Sequence, residues 1–337
     1  MLKEKILIIR FSSFGDVTQC LSVPSVLKSH FTNSNLHWIT REDMAPLLEN
    51  HTAIDRIWIF SRSQGILGLL RLGRELRKEK FTHIYDAHNN LRSNLITLIL
   101  GFPWIEKHPL LLRRSLRRWK RFLLFRFRWN LFEQPFSGQR DLLEPLKKWG
   151  LLTSLPKTPQ IFLKDSEISE SSNLLPEKFI ALAPSAAFEL KRWPLEHWKN
   201  LILRMPQQKF VLLGGPQDTF LENLFILAPD RIINLAGKMT LRQSASVIAN
   251  SQALVSNDTG LLHVGEQLGR PTIALMGPAP FGFPSRSSTK ILEIKLPCRP
   301  CSKHGQGPCV NPNFQQCLKD ILPDQVQKEL ARMVPLS

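Results

Sequence analysis

The sequence predicts two α/β domains in tandem, each a doubly wound parallel sheet. Three observations carry this expectation. Short runs of consecutive apolar residues, such as Ile6-Leu7-Ile8-Ile9 and Phe179-Ile180-Ala181-Leu182-Ala183, are typical of strands buried on both faces. They alternate with segments whose apolar residues recur at helical spacing. Several runs end in small polar loops, including Ser12-Ser13, His88-Asn89-Asn90 and Asp258-Thr259-Gly260. Open α/β sheets take ligands at the carboxyl ends of their strands, where such loops lie.

The elements follow in order. Strand 5–10 leads through polar loop 11–16 into a helix over 17–30, kinked at Pro24. Strand 36–40, helix 43–51, strand 56–60, helix 67–80 and strand 83–87 continue the alternation. After a compositionally distinct middle, 142–151 reads as helix and Pro156–Pro159 as a linker. The second series opens with strand 179–184. Helix 195–204, strand 210–213, helix 219–227, strand 232–235 and helix 241–250 follow. Strand 253–255, the Asp-Thr-Gly hinge, a helix and strand 272–276 complete it, with a break at Gly277-Pro278. Pro323 stands in the first turn of a final helix to Val334. The expected domains are residues 1–160 and 161–337, the second carrying a Cys-rich segment at 298–317 and the terminal helix.

At 337 residues and 43% apolar content, the chain can build two real cores. Its net charge of +17 and pI near 10.0 imply a polyanionic partner: nucleic acid, an anionic membrane face or a phosphorylated substrate. No signal peptide opens the chain and no run reaches membrane-helix length, so a cytosolic setting is expected. Eight basic residues and no acid lie between Arg113 and Arg128, interleaved with Trp119, Phe122, Phe125 and Phe127. This segment reads as a membrane-surface or acceptor-binding element; a nucleic-acid patch and a plain solvated helix are the rivals. No G-x-G-x-x-G follows the first strand, against a dinucleotide dehydrogenase. No G-x-x-x-x-G-K-[ST] occurs, against a P-loop NTPase.

Five motifs stand in order: Arg10-Phe11-Ser12-Ser13-Phe14-Gly15-Asp16-Val17, Lys191-Arg192-Trp193-Pro194-Leu195-Glu196-His197-Trp198, Leu213-Gly214-Gly215-Pro216, Asn257-Asp258-Thr259-Gly260-Leu261-Leu262-His263 and Met276-Gly277-Pro278. Together they resemble the glycosyltransferase family 9 heptosyltransferases, which add heptose from ADP-heptose to the inner core of lipopolysaccharide. The resemblance runs along nearly the whole chain. It implies the GT-B fold, two Rossmann-like domains with an interdomain active-site cleft, the first binding acceptor and the second the nucleotide sugar.

The resemblance makes Asp16 the general base of an inverting transfer. A positioned carboxylate can take the proton of the attacking sugar hydroxyl, and a single displacement needs no second, nucleophilic carboxylate. Capping the following helix is the alternative role for Asp16. Ser12, Ser13 and Gly15 complete the first-domain loop. Lys191 resembles the family lysine that meets the donor diphosphate and offsets charge on the departing ADP, with Arg192 beside it. Ser185, at a strand end, is placed to bond a phosphate. Asp258, Thr259 and Gly260 resemble the donor loop: Gly260 permits close backbone approach, Thr259 offers a hydroxyl and an N–H, and Asp258 orients the loop or bonds a sugar hydroxyl. His263, one turn on, reaches back toward phosphate or sugar, or is a packed core histidine. Gln217 and Asp218 stand where the family often has an acidic residue against the ribose or sugar. Met239 pads the adenine or packs in the core. For a lipid A–Kdo acceptor rich in phosphates and carboxylates, Arg62, Arg92, Arg113, Arg117 and Lys120 are the candidates.

No cofactor and no catalytic metal are expected; ADP-heptose is a substrate. Cys298-x2-Cys301-x7-Cys309-x7-Cys317 admits structural zinc, reduced buried thiols or disulfides, and similar clusters occur in some members of the resembled family. Cys20 reads as packed in a helix. The expected partners are ADP-heptose, a lipid A–Kdo type acceptor and the anionic cytoplasmic face of the inner membrane, with no nucleic acid. The rival functions are a family member using another nucleotide sugar, a sugar-nucleotide epimerase or hydrolase on the same fold, and a non-enzymatic basic protein binding anions or nucleic acid.

Overall fold

The computed structural model describes residues 4–101 and 109–335. The chain divides into two compact units, residues 1–117 with 139–162 and residues 118–138 with 163–337. The basic segment is split between them: Arg113, Arg114 and Arg117 belong to the first unit, and 118–128 to the second.

In the first unit, β1 (Lys5–Ile9), β2 (Asn35–Arg41), β3 (Arg56–Phe60), β4 (His83–Asp86) and β5 (Leu110–Arg113) form a parallel sheet in the order β3-β2-β1-β4-β5. Ile6 to Ile9 are fully buried because helices cover both faces of a parallel sheet. The connections are α1 (Phe14–Cys20), α2 (Ser22–His30), α3 (Gly65–Lys78) and α4 (Leu91–Leu100). Leu7, Ile9, Ile39, Leu69, Leu76 and Ile96 share one core. α5 (Arg118–Phe127) lies in the second unit, and α6 (Gly138–Leu143) leads back to the first.

Beyond residue 162 the second unit resumes with α7 (Asp165–Asn173). It contains β6 (Ile180–Ala183), α8 (Leu195–Leu203), β7 (Phe210–Leu212), α9 (Glu222–Phe225), β8 (Ile232–Asn234), α10 (Leu241–Asn250), β9 (Ala253–Asn257), α11 (Gly260–Leu268), β10 (Thr272–Met276) and β11 (Thr289–Glu293). Their sheet is parallel in the order β11-β10-β9-β6-β7-β8. α12 (Gln316–Lys319) and α13 (Pro323–Met333) follow; Val326 and Leu330 of α13 join Trp193, Trp198, Leu201 and Ile202 in the core. Each sheet reverses its strand order once, between β1 and β4 and between β6 and β9. Successive connections diverge at such a point and leave a crevice at the carboxyl ends.

Four helices differ from expectation. The 17–30 helix begins at Phe14 and breaks at Leu21, whose N–H bonds Thr18 O in a tight turn. Pro24 has no N–H to offer Cys20, so the chain restarts as α2. Over 43–51 only a 3-10 turn forms at Ala45–Leu47, around Pro46. The start of 219–227 is a 3-10 turn at Thr219–Leu221, and Ala228-Pro229 stops α9 after one turn. Over 142–151 the helix starts earlier, and Pro145 turns its second half into 3-10 geometry that ends at left-handed Gly150. Among the described residues no helix is long and apolar enough to cross a membrane.

Two indoles sit edge to face in the second core, with centroids 4.9 Å apart. Trp193 Nε1 donates to buried Ile321 O at 2.9 Å, whereas Trp198 Nε1 has no partner among the described residues. Trp193→Phe and Trp198→Phe remove the same volume, but only the first orphans a buried carbonyl. In urea unfolding, Trp193→Phe is expected to cost about 1–2 kcal/mol more than Trp198→Phe; equal losses would show that the bond contributes nothing.

Candidate functional site

The first loop cluster lies where β1 and β4 end. Ser13 caps α1, and Asp16 falls within the first helical turn rather than ahead of the helix, where the helix dipole favours an anion. Asp16 Oδ2 accepts from Arg10 Nη2 at 2.7 Å and from Ser13 Oγ at 2.8 Å. Oδ1 has no hydrogen bond among the described residues, and the side chain is 43% exposed. Capping thus occupies one carboxylate oxygen and leaves the other open. Burial raises the Asp16 pKa, but the Arg10 and Arg114 guanidiniums and the Ser13 hydrogen bonds outweigh it and hold the carboxyl well below the usual range.

Arg10, which sequence reasoning did not single out, joins the two loops. Its Nη1 donates to Ala87 O at 2.6 Å, just beyond β4. In that loop the buried Asp86 carboxylate accepts the N–H groups of His88 (3.1 Å) and Asn89 (2.8 Å) and the Ser93 hydroxyl (2.9 Å). Asn89 adopts a left-handed φ of 52°, which Asn tolerates. His88 sets its ring against Phe11 at 5.6 Å. Burial, reinforced chiefly by the Arg10 charge, lowers its pKa to about 4, so the imidazole is neutral near pH 7.

The remaining first-unit candidates separate. Ser12 and Gly15 are half-buried and Ser13 is exposed, all beside Asp16. Arg62 and Arg92 come together on a surface pocket of about 220 Å³, whose apolar walls include Phe60, Ile66, Leu69 and Leu95. Arg113 donates to Thr97 Oγ1 at 2.6 Å and lies 3.6 Å from Asp86. Arg117 is committed to Glu144 and Asp141. Lys120 lies in the second unit and donates to Leu131 O at 3.1 Å.

The second cluster lies where β6 and β9 end. Lys191 closes a 3-10 turn after β6, and its Nζ meets Asp258 Oδ2 at 2.7 Å. Both side chains are largely buried, 16% and 7% exposed, which holds the pair in place. Fully buried Asn257 fixes the backbone beneath: its amide donates to Pro184 O at 2.5 Å and its carbonyl accepts from Trp193 N at 3.1 Å. Thr259 caps α11 by accepting from Leu261 N at 3.2 Å, and Gly260 opens the helix. Two further glycines shape the site. A Cβ on Gly282 would stand 2.0 Å from Asp258 Oδ1, and one on Gly305 (φ +83°) 2.6 Å from Lys191 Cγ.

His263 is buried and directed along the helix, its Nδ1 bonded to Glu266 Oε2 at 2.8 Å. Glu266 Oε1 in turn accepts the N–H groups of Ser285 and Arg286. Buried Asp218 accepts Gly215 N at 2.7 Å and lies 3.7 Å from Arg192 Nη2, while Gln217 is exposed. Half-buried Ser185 follows β6, and half-buried Met239 precedes α10. These positions follow strands that are neighbours in the sheet, so they share its carboxyl edge.

The sequence profile described as "Glycosyltransferase family 9 (heptosyltransferase)" matches residues 69–312. The chain belongs to that family. It is 27% identical over 97% of both chains to Lipopolysaccharide heptosyltransferase 2 of Salmonella typhimurium. Its fold is similar to that of E. coli ADP-heptose lps heptosyltransferase II (TM-score 0.71, 24% identity, 98% of each chain). It is also similar to that of E. coli heptosyltransferase WaaC with ADP-2-deoxy-2-fluoro heptose (TM-score 0.69, 19% identity, covering 97% of this chain and 99% of that one). The two Rossmann-like parallel sheets are those of the GT-B fold. As a family 9 glycosyltransferase the protein is an enzyme of the transferase class, which sets aside the epimerase, hydrolase and non-enzymatic readings.

The clustered cysteines of this glycosyltransferase are free thiols lining one cavity of about 10 Å³. Among the described residues no three His, Cys, Asp or Glu side chains are placed to share a metal ion. Burial raises the pKa of Cys301 and pushes that of Cys317 up to about 11. Cys20 is buried in α1, as read from the sequence.

Because the charges of Arg10 and Asp16 act on His88 with opposite sign, its titration reports the first cluster. By NMR, His88 is expected to protonate near pH 4; Arg10→Gln raises that value and Asp16→Asn lowers it further. A value near 6.5 in the unaltered protein would contradict the buried placement.

Proposed function

We propose that this family 9 glycosyltransferase moves heptose from ADP-heptose to the lipopolysaccharide inner core, onto a lipid A–Kdo or heptosyl-Kdo acceptor, with inversion at the anomeric carbon. The names of the full-length relatives support the donor and the acceptor class. The observation that carries the mechanism is Asp16, with Oδ2 held by Arg10 and Ser13 and Oδ1 open. Oδ1 receives the acceptor hydroxyl proton as that oxygen bonds the anomeric carbon and the bond to the ADP β-phosphate oxygen breaks. Pairing with Arg10 lowers the basicity of Asp16 but keeps it ionised, the form a base requires.

The departing ADP carries growing negative charge. Lys191 has three N–H donors, so it can keep Asp258 and still bond a phosphate oxygen; Asp258 aims it. The N-terminus of α11 adds its dipole, and Thr259, whose oxygen caps the helix, retains a hydroxyl proton for the diphosphate. Ser185, Gly260, Gln217, Asp218, His263 and Met239 are assigned to the donor side. Arg62, Arg92 and Arg113 are assigned to the acceptor's phosphates and carboxylates. In this reading residues 1–160 take the acceptor and 161–337 the donor, on the cytoplasmic face of the inner membrane. The charge of +17 suits both substrates and that surface.

Asp16→Asn is expected to slow transfer roughly 10²–10⁴-fold while ADP-heptose affinity, read by calorimetry, stays near that of the unaltered enzyme. Turnover close to normal would remove Asp16 as base. Lys191→Ala is expected to weaken ADP binding about 10–100-fold; unchanged affinity would move the diphosphate elsewhere. Because Asp16 is held below the usual carboxylate range, its protonation is expected to lower kcat/KM only below about pH 4. An Asp16-dependent decline already at pH 6 would contradict the Arg10 pairing.

A further inference from the structure

We infer that α5 and the turn after it dock the enzyme on an anionic lipid bilayer through a wedge of touching aromatic rings rimmed by arginines. This rests on the reading of a lipid-borne acceptor and names the surface that would meet its membrane. One side of α5 is anchored. Leu124 is buried with Phe132 and Phe136, and the rings of Phe125, Phe132 and Phe136 lie 6.3, 5.1 and 5.1 Å from that of Phe281. The other side is open: Trp119, Phe122, Phe127, Trp129 and Leu131 are 60, 60, 49, 62 and 47% exposed.

These side chains are not scattered. Phe122 meets Phe127 edge to face at 5.9 Å, and Phe127 lies against Trp129 at 5.8 Å. Three contiguous aromatic rings facing water mark a surface that something covers. Charge selects the occupant. Arg118, Arg126 and Arg128 are exposed around the rings, and no Asp or Glu lies between Arg113 and Phe132. Arg126 stands over the Phe127 ring at 5.4 Å, so cation and apolar surface are presented together. Aromatic rings seat at the headgroup boundary and arginines pair with lipid phosphates, which an anionic bilayer offers at once. The anchoring rings hold this face rigid, so it docks as a unit.

The test is co-sedimentation of the full-length protein with phosphatidylglycerol-containing and pure phosphatidylcholine vesicles. One variant carries Phe122→Ser, Phe127→Ser and Trp129→Ser, and a second Arg118→Gln and Arg126→Gln. All five positions are exposed, and circular dichroism checks their folding. The unaltered protein is expected to prefer the anionic vesicles. The aromatic variant is expected to bind both kinds at least tenfold more weakly at every salt concentration. The arginine variant is expected to lose about 10–30-fold on anionic vesicles only. Vesicle binding by all three proteins alike would move the contact elsewhere while leaving the membrane reading standing. No vesicle binding by the unaltered protein would overturn the membrane reading itself. Loss of single-stranded oligonucleotide binding, or of a concentration-dependent dimer, in the variants without any effect on vesicles would assign the wedge to that partner instead.

Discussion

The buried guanidinium of Arg10 constrains the first loop cluster more than any other group. Taking it out of water is costly unless its charge is answered. Asp16 answers it through one oxygen, and the Ala87 carbonyl takes a second N–H. A single side chain thereby helps hold Asp16 ionised, braces the loop after β4 and adds to the burial that keeps His88 neutral. The second cluster repeats the logic with the signs exchanged: Asp258 is the buried charge, Lys191 answers it, and Asn257 holds the backbone on which both stand. Each sheet thus presents an ion pair at its reversal of strand order, and in each pair one member keeps capacity for a ligand.

What was legible in the sequence follows from how locally each feature is encoded. β1, β6, β9 and β10 show in their apolar runs because parallel strands are buried on both faces. Asp16, Asp258, Thr259 and Gly260 stand in polar loops after such runs, a local pattern, whereas the roles expected of Asp16 and Lys191 came from the resemblance of the motifs around them. The edge strands β3 and β8 were legible too, but β5 and β11 were not: their apolar runs are only three and two residues long and are bounded by Arg113 and by Lys290 and Glu293. α4 went unread because its apolar residues nearly encircle it, although Asn90 and Ser93 form a reciprocal capping box that marks its start. Prolines at 24, 46, 145 and 229 redirected helices that periodicity alone extended too far.

The long-range parts of the site were invisible. Arg10 reads as the polar end of a strand until its partner 77 residues away is known. Gly282 and Gly305 are glycine because distant side chains, Asp258 and Lys191, occupy the space a Cβ would need. The exposed aromatic cluster was half legible: composition showed basic and aromatic residues mixed, but only the fold shows Phe125 turned inward onto Phe281 while Phe122, Phe127 and Trp129 touch one another outside. The cysteine spacing admitted three chemistries; only the fold, which spacing does not encode, brings all four thiols to the walls of one cavity.

The bond from Trp193 to Ile321 reaches further than the core. Trp193 directly follows the Lys191-Arg192 pair, its backbone is held by Asn257, and its indole hangs from the carbonyl that precedes α13. The last helix is therefore a bracket beneath the lysine, not an appendage. Proteolytic trimming or a bulky fusion that unseats α13 would be felt first as a slackened Lys191–Asp258 pair, with Lys191 more than 100 residues upstream in the chain.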